Sequence, residues 1–166
     1  MRKPTELRAW LTAANPLLAA NPDRLSIFVD GGAVVCTGAA SLSHEYRYTL
    51  NLIVQDYTGA PAAVVLPILA WLRTEQPEQF ENPALRERML QLDVELLQND
   101  AVDLSIQLQL TERVIVQADP QTGKLAARHV GEPPHPDLPP DDGEWRVTLD
   151  GELIATFPFK GYRPQL

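Results

Sequence analysis

Three segments of the chain alternate apolar and polar side chains, which is the pattern of a β-strand with one buried face. Over residues 46–54, apolar side chains occupy the even positions and polar ones the odd positions, interrupted only by Ile53. The same alternation recurs over residues 90–96 and 102–111, and turn-forming residues at 98–100 join those two segments. We therefore predict long antiparallel strands of one sheet. Their buried positions are expected to include Tyr46, Leu50, Leu104 and Leu108.

Two further segments have the spacing of helices. Apolar residues recur every three or four positions over residues 7–18, which predicts an amphipathic helix near the start of the chain. Asn15-Pro16 falls inside that pattern, and because proline removes a helical hydrogen-bond donor we expect either one helix or two short ones. An almost wholly apolar helix is predicted to begin at Pro61, to bend at Pro67 and to cover the sheet.

Glycine turns predict two β-hairpins. Residues 25–29 and 33–37 flank Asp30-Gly31-Gly32, and residues 145–149 and 152–159 flank Asp150-Gly151. In contrast, six of the 15 prolines lie within residues 119–140, a composition that favours extended chain over helix or sheet. That stretch is therefore predicted to be a long loop.

Together these elements predict an α+β fold: a mainly antiparallel sheet with long strands, covered by one or two helices, plus a C-terminal β-hairpin. A chain of 166 residues is of ordinary length for one domain. Within it we expect an α+β core over residues 1–118, a proline-rich loop or linker over residues 119–144, and the C-terminal hairpin with its tail over residues 145–166.

The net charge of −8 argues against specific binding of nucleic acid, which depends on neutralising phosphates. Residues 81–166 hold 15 of the 22 acidic side chains, so we expect electrostatic steering of partners to come from this half. Cys36 is the only cysteine, which favours a reduced, cytoplasmic product. We expect no signal peptide, because the opening MRKPTELRAW has no apolar stretch before its first polar residues. We also expect no membrane partner, because the longest apolar run falls short of the ~20 residues that span a bilayer.

Candidate catalytic groups are few. His44 and Glu45 are adjacent, but neighbouring side chains on a strand point to opposite faces, so they do not meet at one substrate. Four carboxylates near one predicted strand end match no metal-binding loop in their spacing: Asp93, Glu95, Asp100 and Asp103. The sequence has no zinc-type spacing of Cys and His, no nucleophile motif and no glycine-rich loop of the nucleotide-binding type. We therefore expect a protein that is not an enzyme and that holds no cofactor or metal.

The polar face of the predicted strands is the positive signal. It is dense in Thr, Asn, Gln, Arg and Asp. Such a face is either solvated or lines a wet interface or lumen where the subunits of a ring meet, and the pattern alone leaves both open. Since the strands also exceed the usual five or six residues, an assembly protein is the interpretation that the pattern favours.

Several blocks of residues also resemble a known family. The block at residues 99–116, which begins Asn-Asp-Ala-Val-Asp-Leu-Ser-Ile-Gln-Leu, carries most of the resemblance. The other blocks are the opening RKPTELRAWL, the AANPDRL before the first strand, the SLSHEYRYTL strand, the PILAWL helix with its following Gln76-Pro77, the GEPP stretch and the Trp145 hairpin. Together they resemble the phage tail completion protein R family of contractile-tailed temperate phages.

That resemblance implies a virion component at the head-proximal end of the tail, made in the host cytoplasm, with no catalytic motif to carry over. The order of elements also resembles the tail terminators of lambda-type phages, which cap the tail tube as rings of six. The expected partners are therefore further copies of the chain in a hexameric ring, the tail tube and sheath proteins, and the head completion or connector proteins. The alternative is an assembly chaperone or binding module that does not remain in the virion.

Six acidic residues are the candidate interface positions. Asp93, Glu95 and Asp103 are expected on the polar face of the sheet, where a lumen or subunit boundary can use them. Asp141, Asp142 and Glu144 are expected in the late loop, on a docking surface. We further expect either the proline-rich segment or the C-terminal hairpin to reach a neighbouring subunit.

Overall fold

A five-stranded antiparallel sheet forms the centre of the fold in a computed structural model, which describes residues 1–36, 38, 41–133 and 143–158. Its strands are β1 (Leu25–Cys36), β2 (His44–Tyr57), β3 (Leu90–Leu96), β4 (Val102–Ala118) and β5 (Leu125–Val130). The spatial order is β1-β2-β4, and β3 and β5 both pair with the remaining edge of β4. The long strands predicted from the alternation are confirmed, and the fold class is the expected α+β.

Five helices precede or connect these strands in the described chain. They are α1 (Lys3–Ala14), α2 (Pro16–Ala20), α3 (Ala62–Glu75), α4 (Glu78–Glu81) and α5 (Pro83–Arg86), with a 3-10 turn at Pro22–Arg24. The predicted division at Asn15-Pro16 is confirmed as two helices. The Oδ1 atom of Asn15 caps α2 by accepting hydrogen bonds from the backbone N–H groups of Leu17 and Leu18 at 3.0 and 3.2 Å. None of these helices is long and apolar enough to cross a bilayer.

The core lies between the sheet and the helices α1 and α3. Even-numbered side chains of β2 and β4 meet apolar side chains of the two helices there. The fully buried ones include Leu7, Leu11, Leu50, Leu52, Ile68, Leu72, Leu104, Ile106 and Leu108. Tyr46 is the exception to the predicted set, because it lies at the rim of the core and is only partly buried.

The first predicted hairpin is wrong. Residues 25–36 form one continuous strand that pairs along its whole length with β2. Asp30-Gly31-Gly32 is a β-bulge in that strand: the register shifts between Asp30 and Gly32, and Gly31 has a φ of 64°. A glycine tolerates this left-handed conformation, so the same residues that favour a hairpin turn also favour a bulge.

The predicted long loop over residues 119–144 is also partly wrong, because residues 125–130 form β5. A turn at Asp119 returns the chain onto β4, with the N–H of Gly123 bonded to the carbonyl of Asp119 at 2.8 Å. Five of the six prolines in the 119–140 stretch follow β5, so the average composition of the stretch conceals a strand in its middle. Residues 134–142 lie outside the described residues.

The C-terminal hairpin is confirmed as β6 (Glu144–Leu149) and β7 (Glu152–Pro158), joined at Asp150-Gly151. It packs on the helices, on the side away from the five-stranded sheet. Phe157 contacts Ala14, and its ring lies 5.7 Å from that of Trp10. The described elements therefore form three layers: hairpin, helices and sheet. The outer face of the sheet points away from the helices.

Candidate interaction surfaces

The outer face of the sheet is polar because the odd positions of β2 and β4 alternate with the buried even ones. Thr49 and Gln109 lie opposite each other there: the hydroxyl of Thr49 donates to Oε1 of Gln109 at 3.3 Å and accepts from Nε2 of Gln109 at 3.2 Å. Other outer-face side chains on the paired strands are Glu45, Arg47, Asn51, Gln91, Ser105, Gln107, Thr111 and Arg113. A face this rich in hydrogen-bonding groups suits contact with water or with another polar surface.

Three of the six predicted interface residues lie together at one end of this face. Asp103 on β4 is directly opposite Glu95 on β3. Asp93 also lies on β3, two residues before Glu95. The Oδ1 atom of Asp103 accepts a hydrogen bond of 2.8 Å from the backbone N–H of Asp56. Like charges directly opposite each other on a sheet are unfavourable unless water or a cation balances them. This end of the face is therefore a concentrated patch of negative charge.

The other three predicted residues do not join this patch. Glu144 is the first residue of β6, where its carboxylate lies 3.8 Å from Arg146, on the hairpin layer beyond the helices. Asp141 and Asp142 lie outside the described residues. In the described part of the chain, no group of three Asp, Glu, His or Cys side chains is arranged to hold a metal ion.

A buried carboxylate, which the pattern analysis missed, anchors α1 to the sheet. Glu112 is 2% exposed and occupies an inward position of β4. It accepts hydrogen bonds from the backbone N–H groups of Arg2 and Lys3 at 2.8 and 3.2 Å, and from the hydroxyl of Tyr48 at 2.6 Å. The Nδ1 atom of His129 on β5 lies 3.0 Å from the same carboxylate. The start of α1, β2, β4 and β5 thus converge on one side chain.

The electrostatics of this anchor follow from its burial and its donors. Burial alone raises the pKa of Glu112, but the hydrogen bonds from Tyr48, Arg2 and Lys3 outweigh it, so that the pKa of Glu112 lies below its usual value. Burial, together with the hydrogen bond to Glu112, raises the pKa of Tyr48. Glu112 therefore stays ionised and Tyr48 stays protonated at neutral pH. The sequence does contain a signal for this anchor: Glu112 is a charged residue at an even-numbered position of β4, where the alternation otherwise places apolar side chains.

Further ion pairs of Arg2 and Lys3 surround the Glu112 carboxylate. Arg2 contacts Glu75 at 2.6 Å and Glu6 at 3.0 Å. Lys3 is almost fully buried, donates to the carbonyl of Glu75, and has its Nζ 3.7 Å from Glu132. Burial lowers the pKa of Lys3, and the nearby carboxylates of Glu132 and Glu75 oppose that shift. The whole cluster fixes the position of α1 against the sheet.

Two glutamine side chains fill a gap in the sheet. β3 pairs with β4 only up to Leu108, and β5 begins its pairing at Arg113. Between them, the N–H of Thr111 donates to Oε1 of Gln76 at 2.6 Å, and the amide of Gln79 donates to the carbonyl of Gln109. These amides supply the hydrogen bonds that a neighbouring strand would supply. A groove of about 710 Å³ lies beside them, bordered by Arg47, Arg113, Leu85 and Glu132 among others.

The two edges of the sheet expose apolar side chains. The helix-facing side of β3 carries Leu92, Val94 and Leu96, which are 39%, 43% and 82% exposed. The corresponding side of β1 carries Val29 and Val34, which are also exposed. The alternation predicted that the apolar side of β3 would be buried, and this part of the prediction is wrong. Exposed apolar rows at unpaired edges are typical of surfaces that another chain covers.

Comparisons with known proteins identify relatives of this chain. Residues 1–133 match the family model described as P2 phage tail completion protein R (GpR). The chain is 40% identical over 155 residues to "Tail completion protein R" of Escherichia phage P2, an alignment that covers 93% of this chain and 97% of that protein. No solved structure gives a significant match.

Proposed function

The chain belongs to the P2 phage tail completion protein R family, and on that premise we propose that it is a structural protein that completes the phage tail. The observation that carries this proposal is the 40% identity to a tail completion protein along almost the full length of both chains. The matched residues include α1, α3 and all five strands of the central sheet. The relative and this chain therefore share the elements that form the core and both sheet edges.

The finer role that we propose is termination at the head-proximal end. There, a ring of six copies would cover the last layer of the tail tube and present a surface for joining the head. The tube, the sheath and the head completion or connector proteins would be its partners. A closed ring uses heterologous contacts, in which each subunit presents two different surfaces to its neighbours. The two exposed sheet edges supply two such surfaces and support this proposal.

A structural rather than an enzymatic role agrees with the polar clusters in the described residues. The buried carboxylate of Glu112 is fully engaged in holding α1 against the sheet. The acidic patch at Asp93, Glu95 and Asp103 lies on an open sheet face rather than in a cleft. Both arrangements favour positioning and contact over chemistry. The comparisons do not favour the alternative of a chaperone that leaves the particle.

The test is to purify tails made with and without this protein and to measure its copy number in them. We expect about six copies in each normal tail, by symmetry with a sixfold tube, and abnormal tail lengths or unjoined heads without the protein. A control lysate lacking the major tube protein separates incorporation from co-purification. Tails of normal length that contain none of the protein would overturn the proposal and favour a chaperone.

A further inference from the structure

The direction of the strands determines how two copies of the sheet can meet. β1 is antiparallel to β2, β2 to β4, and β4 to β3, so β1 and β3 run in opposite directions at opposite edges of the sheet. Rotation of a second copy about an axis parallel to the strands preserves both strand direction and the side on which the helices lie. Its β1 then lies antiparallel beside β3 of the first copy, which is the pairing that β-strand addition needs.

The apolar side chains of the two edges lie at the same level. Through the intervening pairs, Ile27 is level with Leu92, and Leu25 is level with Val94. The exposed residues Val29 on β1 and Leu92 and Val94 on β3 all point to the helix side of the sheet. Leu25 is buried and Ile27 half-buried, and the exposed Val29 is level with Leu90, so a neighbouring copy covers the exposed row of β3 with the aliphatic edge of β1.

The charges at this end of the sheet also fit. The acidic patch of Asp93, Glu95 and Asp103 lies at the end of the sheet where β1 begins. Arg24, immediately before β1, is exposed and donates to the carbonyl of Asp56 at 2.6 Å. Arg24 of one copy would face the acidic patch of the next. Opposite charges across the contact would relieve the repulsion between Glu95 and Asp103.

We propose that β3 of one subunit pairs with β1 of the next copy of the chain, so that the sheets of neighbouring subunits join edge to edge. Leu92 packs against Ile27 and Val29, Val94 packs against Ile27, and Arg24 contacts the acidic patch. The polar outer faces of all subunits then form one continuous surface. This inference rests on the proposed ring and specifies the contact that closes it.

Cysteine crosslinking in assembled tails tests the contact. In a Cys36→Ser background, Val29→Cys and Leu92→Cys are combined, and tails are treated with a flexible bismaleimide. We expect a ladder of covalent oligomers that ends at the size of the ring, and no ladder from either single variant. The control pair, Val29→Cys with Leu149→Cys on the hairpin, should give monomer. Dimers from a single variant would indicate a twofold contact between like edges and would overturn the proposal.

Charge substitution gives a second, independent readout. Val94→Lys places a lysine on the exposed edge and is expected to leave the melting temperature of the isolated chain unchanged while reducing incorporation into tails at least tenfold. Leu66→Lys, at similar exposure on α3, is the control and should be incorporated normally. If the wild type is present in tails and Val94→Lys is incorporated normally, the edge contact is wrong and the proposed function stands. If the wild type is absent from tails, both are wrong.

Discussion

At the residue scale, Leu104 reports on the register of the sheet. It is fully buried between β2 and β3, and its neighbour Ser105 lies on the outer face. Leu104→Asp should destabilise the fold by more than about 4 kcal/mol, because it buries a charge that has no partner. Ser105→Asn, which adds no charge opposite Asp93, should change stability by less than about 1 kcal/mol. Urea unfolding of both variants checks this, and a native-like transition for Leu104→Asp would show that the register is wrong.

Glu112 makes the stability of the protein depend on pH at the acidic end. Its folded pKa lies below the unfolded value of about 4.3, so its contribution is complete above that pH and is lost as the pH falls through the folded pKa. Glu112→Gln should therefore be less stable than wild type at pH 7, and the difference should shrink at acidic pH. Thermal melts between pH 7 and pH 3 measure it. A difference that stays constant would mean that Glu112 is not held ionised by its donors.

Tyr48 tests the same anchor from the side of the donor. Tyr48→Phe keeps the ring and removes the hydroxyl that bonds Glu112 at 2.6 Å. Hydrogen bonds to charged groups contribute about 1.5–3 kcal/mol, and a loss of this size is expected in chemical denaturation at pH 7. Tyr46→Phe is the matched control on the same strand, because no hydrogen bond from its hydroxyl enters the anchor. Equal stabilities for the two variants would contradict the anchor.

At the scale of elements, the gap between β3 and β5 depends on Gln76. Its Oε1 accepts the N–H of Thr111 on the edge of β4. Gln76→Ala should leave that N–H without a partner, at a cost of about 1–3 kcal/mol, and should accelerate hydrogen exchange at Thr111 more than at Leu108. Gln55→Ala, an exposed glutamine on β2, should have no such effect. Unchanged exchange at Thr111 would indicate that another group fills the gap.

Some helices and strands could be predicted from the sequence and others could not. The long strands, the split first helix and the C-terminal hairpin were predictable, because periodicity and proline act locally. The pattern predicts a hairpin in place of β1 because Gly31 suits a bulge as well as a turn, and it predicts a loop in place of β5 because most of the prolines in that stretch follow the strand. The exposure of Leu92 and Val94 was not predictable, because an alternating strand reads the same whether it is central or at an edge. The Glu112 anchor was not predictable either, because Glu112 bonds Arg2 and Lys3, which are more than 100 positions away in the sequence.

At the scale of the whole molecule, the late acidic residues remain a predicted docking surface. Reversing the charges of Asp141, Asp142 and Glu144 should change folding stability by no more than about 0.5 kcal/mol. We expect it to lower infectious yield and to leave tails of abnormal length or heads unjoined. Reversal of the exposed Glu152 is a control on the same hairpin layer. Normal tail lengths and plaque counts from the triple variant would remove these residues from the interface.

Our proposal for the whole molecule is that the chain completes the tail as a ring at its head-proximal end. The decisive experiment is an electron cryomicroscopy map of that end of an intact tail. We expect six copies of the three-layered fold around the tube axis, stacked on the last tube layer. Density for another protein at that position, or a map without this fold, would contradict it.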